Sequence, residues 1–185
     1  MATVTHSTLT DPYIHEPKGA AAAGAGDVYV ADGAGSGDWR RHNPHGGWRY
    51  NDIGTGTTYT APTTYTLMDV AGSSTGAYGF SPSTGRLTYT DTPNVHLHFV
   101  VDLSFKHSTG AGQDVYFAIY KNGAIITAGA NAEMVASADS GNYQHMAIHA
   151  DSMAVTNDYF DCYLKCATGN VIVHSAYMFA MGMPA

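Results

Sequence analysis

The sequence predicts an all-β fold, a jelly-roll β-sandwich preceded by an extended N-terminal arm and a short β segment. Three observations predict it. Residues 95–106 alternate strictly, with Val95, Leu97, Phe99, Val101, Leu103 and Phe105 on one side and His96, His98, Val100, Asp102, Ser104 and Lys106 on the other. That is the period of a half-buried antiparallel strand. Eight segments of strand length follow one another between residues 64 and 181, separated by turns rich in Gly, Ser and Asn, which fits a jelly roll. Residues 19–26, finally, carry only Gly and Ala, side chains too small to build a core.

Taken in order, residues 1–26 read as an arm. Pro12 and Pro17 disfavour helix around them, and four alanines at 20–23 between glycines are too few to hold a helix in water. Residues 28–30 read as a short strand, 32–37 as a turn, 39–50 as an aromatic, His-rich connection and 51–63 as a loop. The region 27–59 is therefore expected to precede a jelly-roll domain at 60–185. Its strands are expected at 64–70, 86–90, 95–106, 115–120, 124–128, 143–150, 159–166 and 171–181. Asn122-Gly123 supplies the hairpin signal between two of them. Phe160, Cys162, Leu164 and Cys166 form a second inward row, opposite Asp161, Tyr163 and Lys165. The last strand differs, because Tyr177 to Met181 is apolar on both faces. It is expected to be central in its sheet or buried against another copy.

A chain of 185 residues suits one domain plus an arm. Charged residues make up 12% of it, against roughly 25% in a typical soluble domain, so much of its surface is expected to be covered by other subunits. A net charge of −7 argues against a nucleic-acid partner, which needs clustered Lys and Arg. The basic cluster is Arg40-Arg41, with Arg49 nearby, beside Trp39 and Trp48; it suits an acidic neighbouring surface. Residues 1–14 have no basic start and no apolar run, so no signal peptide is expected. No stretch reaches the length of a membrane span. Cys162 and Cys166 would lie about 13 Å apart on one strand face, beyond the roughly 7 Å of disulfide reach. Both are expected as reduced core residues, as in a cytoplasm.

Catalytic patterns are mostly lacking, and no enzyme or cofactor is expected. Gly-x-Ser-x-Gly is absent, and Gly35-Ser36-Gly37 lacks the strand–turn–helix context. Glycoside hydrolysis needs paired carboxylates, yet the two glutamates, Glu16 and Glu133, fall in arm and loop. Asp102, Asp151, Asp158 and Asp161 are expected mostly at strand ends, where turn chemistry explains them. Among ten histidines, His96 and His98 project from one strand face, and a neighbouring strand would have to add a third metal ligand. Asp102 is about 13 Å further along, too far to share their ion. His145 and His149 are likewise too far apart on a strand to co-ligate, and His42 and His45 read as loop polarity. No metal site is assigned. Tyr116 and Tyr120 share an outer face that Tyr143 and Tyr163 could extend, a surface suited to subunit contact or sugar recognition.

His15-Glu16-Pro17-Lys18-Gly19 and the block Val28-Tyr29-Val30-Ala31-Asp32-Gly33-Ala34-Gly35-Ser36-Gly37-Asp38-Trp39 resemble, over residues 13–39, the leader of small structural proteins of tailed bacteriophages. The body also resembles the trimeric tumour-necrosis-factor-like and C1q-like domains. Its order is long strand, Tyr-rich strand, Asn-Gly hairpin, acidic-aromatic strand and apolar last strand. These resemblances imply a capsid decoration or cement protein, made in the host cytoplasm and bound to the outer head surface of the virion as a homotrimer. They imply the major capsid protein as partner of His15, Glu16, Pro17, Lys18, Trp39, Arg40 and Arg41, and a subunit interface at Tyr116, Tyr120, Tyr177 and Phe179. The alternative implied is a tail-fibre or head-fibre receptor-binding protein recognising host surface glycan. An esterase or glycosidase acting on surface polysaccharide stands third.

Overall fold

The computed structural model describes residues 23–24, 27–31, 37–41, 43–52, 54–60, 62–92, 94–109, 112–126, 133–138 and 141–184. In chain order the strands are β1 (Asp27–Ala31), β2 (Gly37–Arg41), β3 (His45–Asn51), β4 (Thr57–Tyr59), β5 (Thr66–Leu67), β6 (Ser73–Ser74), β7 (Phe80–Ser83) and β8 (Arg86–Tyr89). There follow β9 (Val95–His107), β10 (Gln113–Lys121), β11 (Ala124–Ile125), β12 (Glu133–Ala138), β13 (Gln144–Ala154), β14 (Tyr159–Cys166) and β15 (Val171–Pro184). The described residues contain no helix.

Two compact units result, Met1–His42 and Asn43–Ala185. In the first, β1 and β2 pair as an antiparallel hairpin, and Tyr29 meets Trp39 edge-on with ring centroids 5.5 Å apart. Apart from residues 23–24, the expected arm, including His15, Glu16, Pro17 and Lys18, lies outside the described residues.

The second unit is an all-β sandwich. One sheet has the order β11-β10-β14-β8-β7, with β12 also on β10 and β5 on β14. The other runs β13-β9-β15-β3-β6, with β4 also on β15. The inward row of β9 is completely buried, apart from a trace of exposure at Leu103. It meets the opposite sheet through Phe99 on Phe160 and Phe105 on Phe117, centroids 4.4 and 4.6 Å apart. Burial of these aromatics is what joins the layers. Phe160, Cys162, Leu164 and Cys166 are buried as the alternation requires, and both cysteines are free.

Several expectations need correction. The stretch 39–50 is no connection, because β2 and β3 occupy it. Within the loop expected at 51–63, β4 pairs with β15. The sandwich therefore starts at Asn43, and a boundary near residue 60 would cut off two of its strands. Gly46-Gly47 makes β3 read as loop, yet closeness is their reason. A Cβ on Gly47 would stand 2.5 Å from the Met178 carbonyl oxygen, and one on Gly46 would stand 2.9 Å from the Phe80 Cβ. The strand expected at 64–70 shrinks to β5, although Met68 and Val70 are buried beyond it. Glu133 begins β12 instead of sitting in a loop.

The last strand is central, between β9 and β3. Its register slips between Val173 and Ser175, so its inward set changes from Val171 and Val173 to Ala176, Met178 and Ala180. Such a bulge reverses which face later residues occupy. Tyr177, Phe179, Met181 and Met183 consequently point outward.

The Asn-Gly hairpin forms as expected. Asn122 and Gly123 have φ of 52° and 81°, the pair of left-handed residues that a type I′ turn demands. Asn122 also ties the turn to a distant segment. Its Nδ2 donates to Asp158 Oδ1 at 2.7 Å, and its Oδ1 accepts the Tyr159 N–H at 3.0 Å. Asp158 further accepts the Val155 N–H at 2.9 Å and pairs with Lys121 at 2.8 Å. Burial alone would raise this carboxyl, but the hydrogen bonds from Lys121, Val155 and Asn122 outweigh it and hold it low. Turn chemistry does account for Asp158.

Candidate functional site

Two surfaces gather the side chains that the sequence singles out. The first is the outer face of the β13-β9-β15-β3-β6 sheet. Register sets its rows. His149 neighbours Val100, which faces Phe179 and then Gly47; Ala147 neighbours Asp102, which faces Tyr177 and then Arg49. Further along, Asp151, His98 and Met181 form a row, as do Met153, His96 and Met183. Tyr177 and Phe179 stack at 6.1 Å. The apolar members are open: Met153 is 45% exposed, Met181 54% and Met183 62%. A groove of about 870 Å³ crosses one end, lined by Arg49, Asn51, Asp102, His145 and Tyr177 among others.

At the other end of this face the histidines meet. His98 Nδ1 lies 2.8 Å from Asp151 Oδ1, and His149 Nδ1 lies 3.3 Å from His98 Nε2. A pocket of about 230 Å³ beside them is lined by Asn43, His96, His98, Asp151, Met181 and Met183. The neighbour strand thus brings His149 to His98, whereas His145 lies in the groove. Asp151 is not a turn residue, contrary to expectation; it sits within β13 directly opposite His98. Nothing in the local pattern of residues 143–150 signals this contact, because strand pairing alone creates it.

The second surface is the outer face of β10 and β14. Tyr120 stacks on Tyr163 at 4.1 Å and takes Tyr65 edge-on at 5.7 Å. Lys165 Nζ lies 4.2 Å from the Tyr65 ring centre and 4.6 Å from that of Tyr116. Ala118, on the same face, is fully buried. The ring faces are engaged within the chain, mostly through cation–π and aromatic contacts. Sequence reasoning gives Tyr65 and Lys165 no part in this surface, although their positions in strand-like segments put them on that face. The four residues expected at one interface are therefore divided, Tyr116 and Tyr120 on one sheet and Tyr177 and Phe179 on the other.

Beside this layer, Arg86 clasps Asp161. Its Nε and Nη2 donate to the two carboxylate oxygens at 2.8 and 2.9 Å, and its guanidinium lies 3.8 Å over the Tyr159 ring. The hydrogen bonds to Asp161 are the main cause that raises the Arg86 pKa. Asp161 is completely buried in the middle of β14, so turn chemistry does not explain it.

Burial pushes the Cys162 thiol up from 9.0 to about 12, with Asp161 adding to the effect. Burial, then Asp91, pushes Tyr89 from 10.0 to about 12. Both folded values exceed the unfolded ones, so the stability they carry is complete below about pH 9 and is lost as pH rises towards 12. The urea midpoint is expected to fall steadily across that window, and Cys162 should resist alkylation until the chain unfolds. A flat midpoint from pH 9 to 12 would contradict this.

No protein-family model matches the chain, and no curated protein matches it. Solved structures do. The vertex protein P5 of PRD1 overlays 77% of this chain and 97% of its own, with a TM-score of 0.51 at 11% identity. The TNF protein Eiger of S. frugiperda overlays 77% of this chain and 94% of its own, with a TM-score of 0.54 at 9% identity. The sandwich is a tumour-necrosis-factor-like jelly roll. In this jelly roll the open Met- and His-bearing face belongs to the sheet in which β15 is central, and the Tyr-Lys layer belongs to the opposite sheet.

Proposed function

We propose that the chain is a bacteriophage virion structural protein that decorates the outer head shell as a homotrimer, with the major capsid protein as its partner. The observation that carries the reading is the outer face of the sheet that holds Tyr177 and Phe179. Its exposed Met153, Met181 and Met183 make an apolar surface that association would bury. The reading centres the three-fold contact on Tyr177 and Phe179 and leaves Tyr116 and Tyr120 in the layer facing away. The arm with His15, Glu16, Pro17 and Lys18, and the hairpin with Trp39, Arg40 and Arg41, grip the capsid. Three such grips on one trimer multiply the effective affinity.

Native mass spectrometry of the full chain tests the assembly. A trimer is expected, and Tyr177→Asp with Phe179→Asp should give folded monomers. Monomers from the unaltered chain would overturn it. Removing residues 1–26 should preserve the trimer and abolish capsid binding.

A fibre or vertex protein that recognises host glycan is the second reading. Its support is that P5 of PRD1 is a vertex protein. Quantitation against the major capsid protein separates the two: hundreds of copies per virion support decoration, and a few tens or fewer support the fibre or vertex role.

A further inference from the structure

We propose that His98 and His149 together bind a divalent transition-metal ion such as Zn²⁺, with Asp151 holding His98 in the binding tautomer. The first argument is the bite. His98 Nε2 and His149 Nδ1 are 3.3 Å apart. Two imidazole nitrogens, each about 2.0–2.1 Å from a tetrahedral Zn²⁺, stand about 3.3 Å from one another. The nitrogens of this pair already have the separation that a shared ion requires.

The second argument is the carboxylate. Asp151 Oδ1 accepts from His98 Nδ1 at 2.8 Å, which keeps the proton on that nitrogen. The Nε2 lone pair is then directed at His149. A carboxylate behind a histidine in this way fixes the tautomer and the ring orientation. Without metal, His149 Nδ1–H donates to the lone pair. With metal, His149 carries its proton on Nε2, and each ring turns by roughly 35° so that both lone pairs meet at an ion beside the line between the two nitrogens.

Strand pairing makes the arrangement. Asp151 is directly opposite His98 in the β13–β9 ladder, and His149, opposite Val100, is its diagonal neighbour, within reach of long side chains. Among the described residues, the charged or titratable groups lining the adjoining pocket are His96, His98 and Asp151. In the isolated chain the His98 and Asp151 side chains are about half exposed, at 46% and 52%, which leaves the other coordination positions open. Among the described residues no group of three or more His, Cys, Asp or Glu side chains closes a complete cage. The site is accordingly a two-histidine, water-completed one, of the ligand type that suits Zn²⁺, Ni²⁺ or Cu²⁺.

Isothermal titration of the metal-free full chain with Zn²⁺ at about pH 7.5 provides the test. Binding by the unaltered chain should include one site per chain that is lost in both His98→Ala and His149→Ala. Asp151→Asn should weaken it about 10- to 100-fold. His145→Ala, on the same strand and face, should leave it unchanged. Circular dichroism confirms that each variant is folded. An isotherm that is the same for the unaltered chain and the His98→Ala/His149→Ala double variant would place all binding on other histidines and overturn the proposal.

Discussion

Arg86→Met is expected to lower the folding free energy by about 3–5 kcal/mol, read from urea unfolding by circular dichroism. The variant keeps most of the aliphatic stem that lies against Tyr159 but removes the guanidinium. Asp161 has no exposure of its own, and Arg86 supplies both hydrogen bonds of the fork. Without Arg86 a carboxylate is left buried and unpaired, the costly way to break an ion pair. The reverse change, Asp161→Ala, should cost less. The Arg86 side chain is 38% exposed, so its charge can turn to water once the partner is gone. Equal losses for the two variants would contradict this asymmetry. A loss under about 1 kcal/mol for Arg86→Met would mean that the pair behaves like a surface ion pair.

Trp48→Ala should cost a similar amount, about 3–5 kcal/mol. Trp48 is 1% exposed, lies on β3 opposite Met178 of β15, and is among the largest buried side chains of the described core. Its removal opens a cavity in the middle of the sandwich that neighbours can only partly refill. If residues 39–50 were an outlying connection, the same change would cost a few tenths of a kcal/mol, as surface changes do. Thermal unfolding of the variant distinguishes the two outcomes without any binding partner.

How far the sequence was legible follows a physical line. Alternation in β9 and β14 could be read directly, because burial on one face imposes a period of two on contiguous residues. The Asn122-Gly123 turn could be read for a similar reason: only a few residue types tolerate two successive positive φ angles. β3 could not be read. Its Gly46-Gly47 pair has the composition of a loop, and the reason for two glycines, a Met178 carbonyl and a Phe80 side chain pressed against them, lies far away in the sequence. Nor could the phase of β15 be read, since a single bulge between Val173 and Ser175 decides which of its apolar residues face the core.

The candidate sites divide along the same line. Tyr116, Tyr120, Tyr177 and Phe179 were visible as aromatics in strands, but the division between two sheets depends on strand order. Asp161 looks like any aspartate beside a turn until the fold sets Arg86, 75 residues earlier in the chain, against it. The sequence marks His96 and His98 as a pair that would need a ligand from a neighbouring strand, but which histidine reaches His98 depends on strand pairing.

By itself the sequence determined an all-β chain with a long alternating strand, an Asn-Gly hairpin, two unpaired core cysteines and a composition poor in charge. Each of these is a local or compositional property, set within a few residues or by the whole. Tertiary structure alone decided that β3 belongs to the core, that β15 turns Tyr177 and Phe179 outward, and that His98 meets partners 51 and 53 residues away. Those outcomes depend on register between distant strands, and register is chosen by the packing of the whole sandwich.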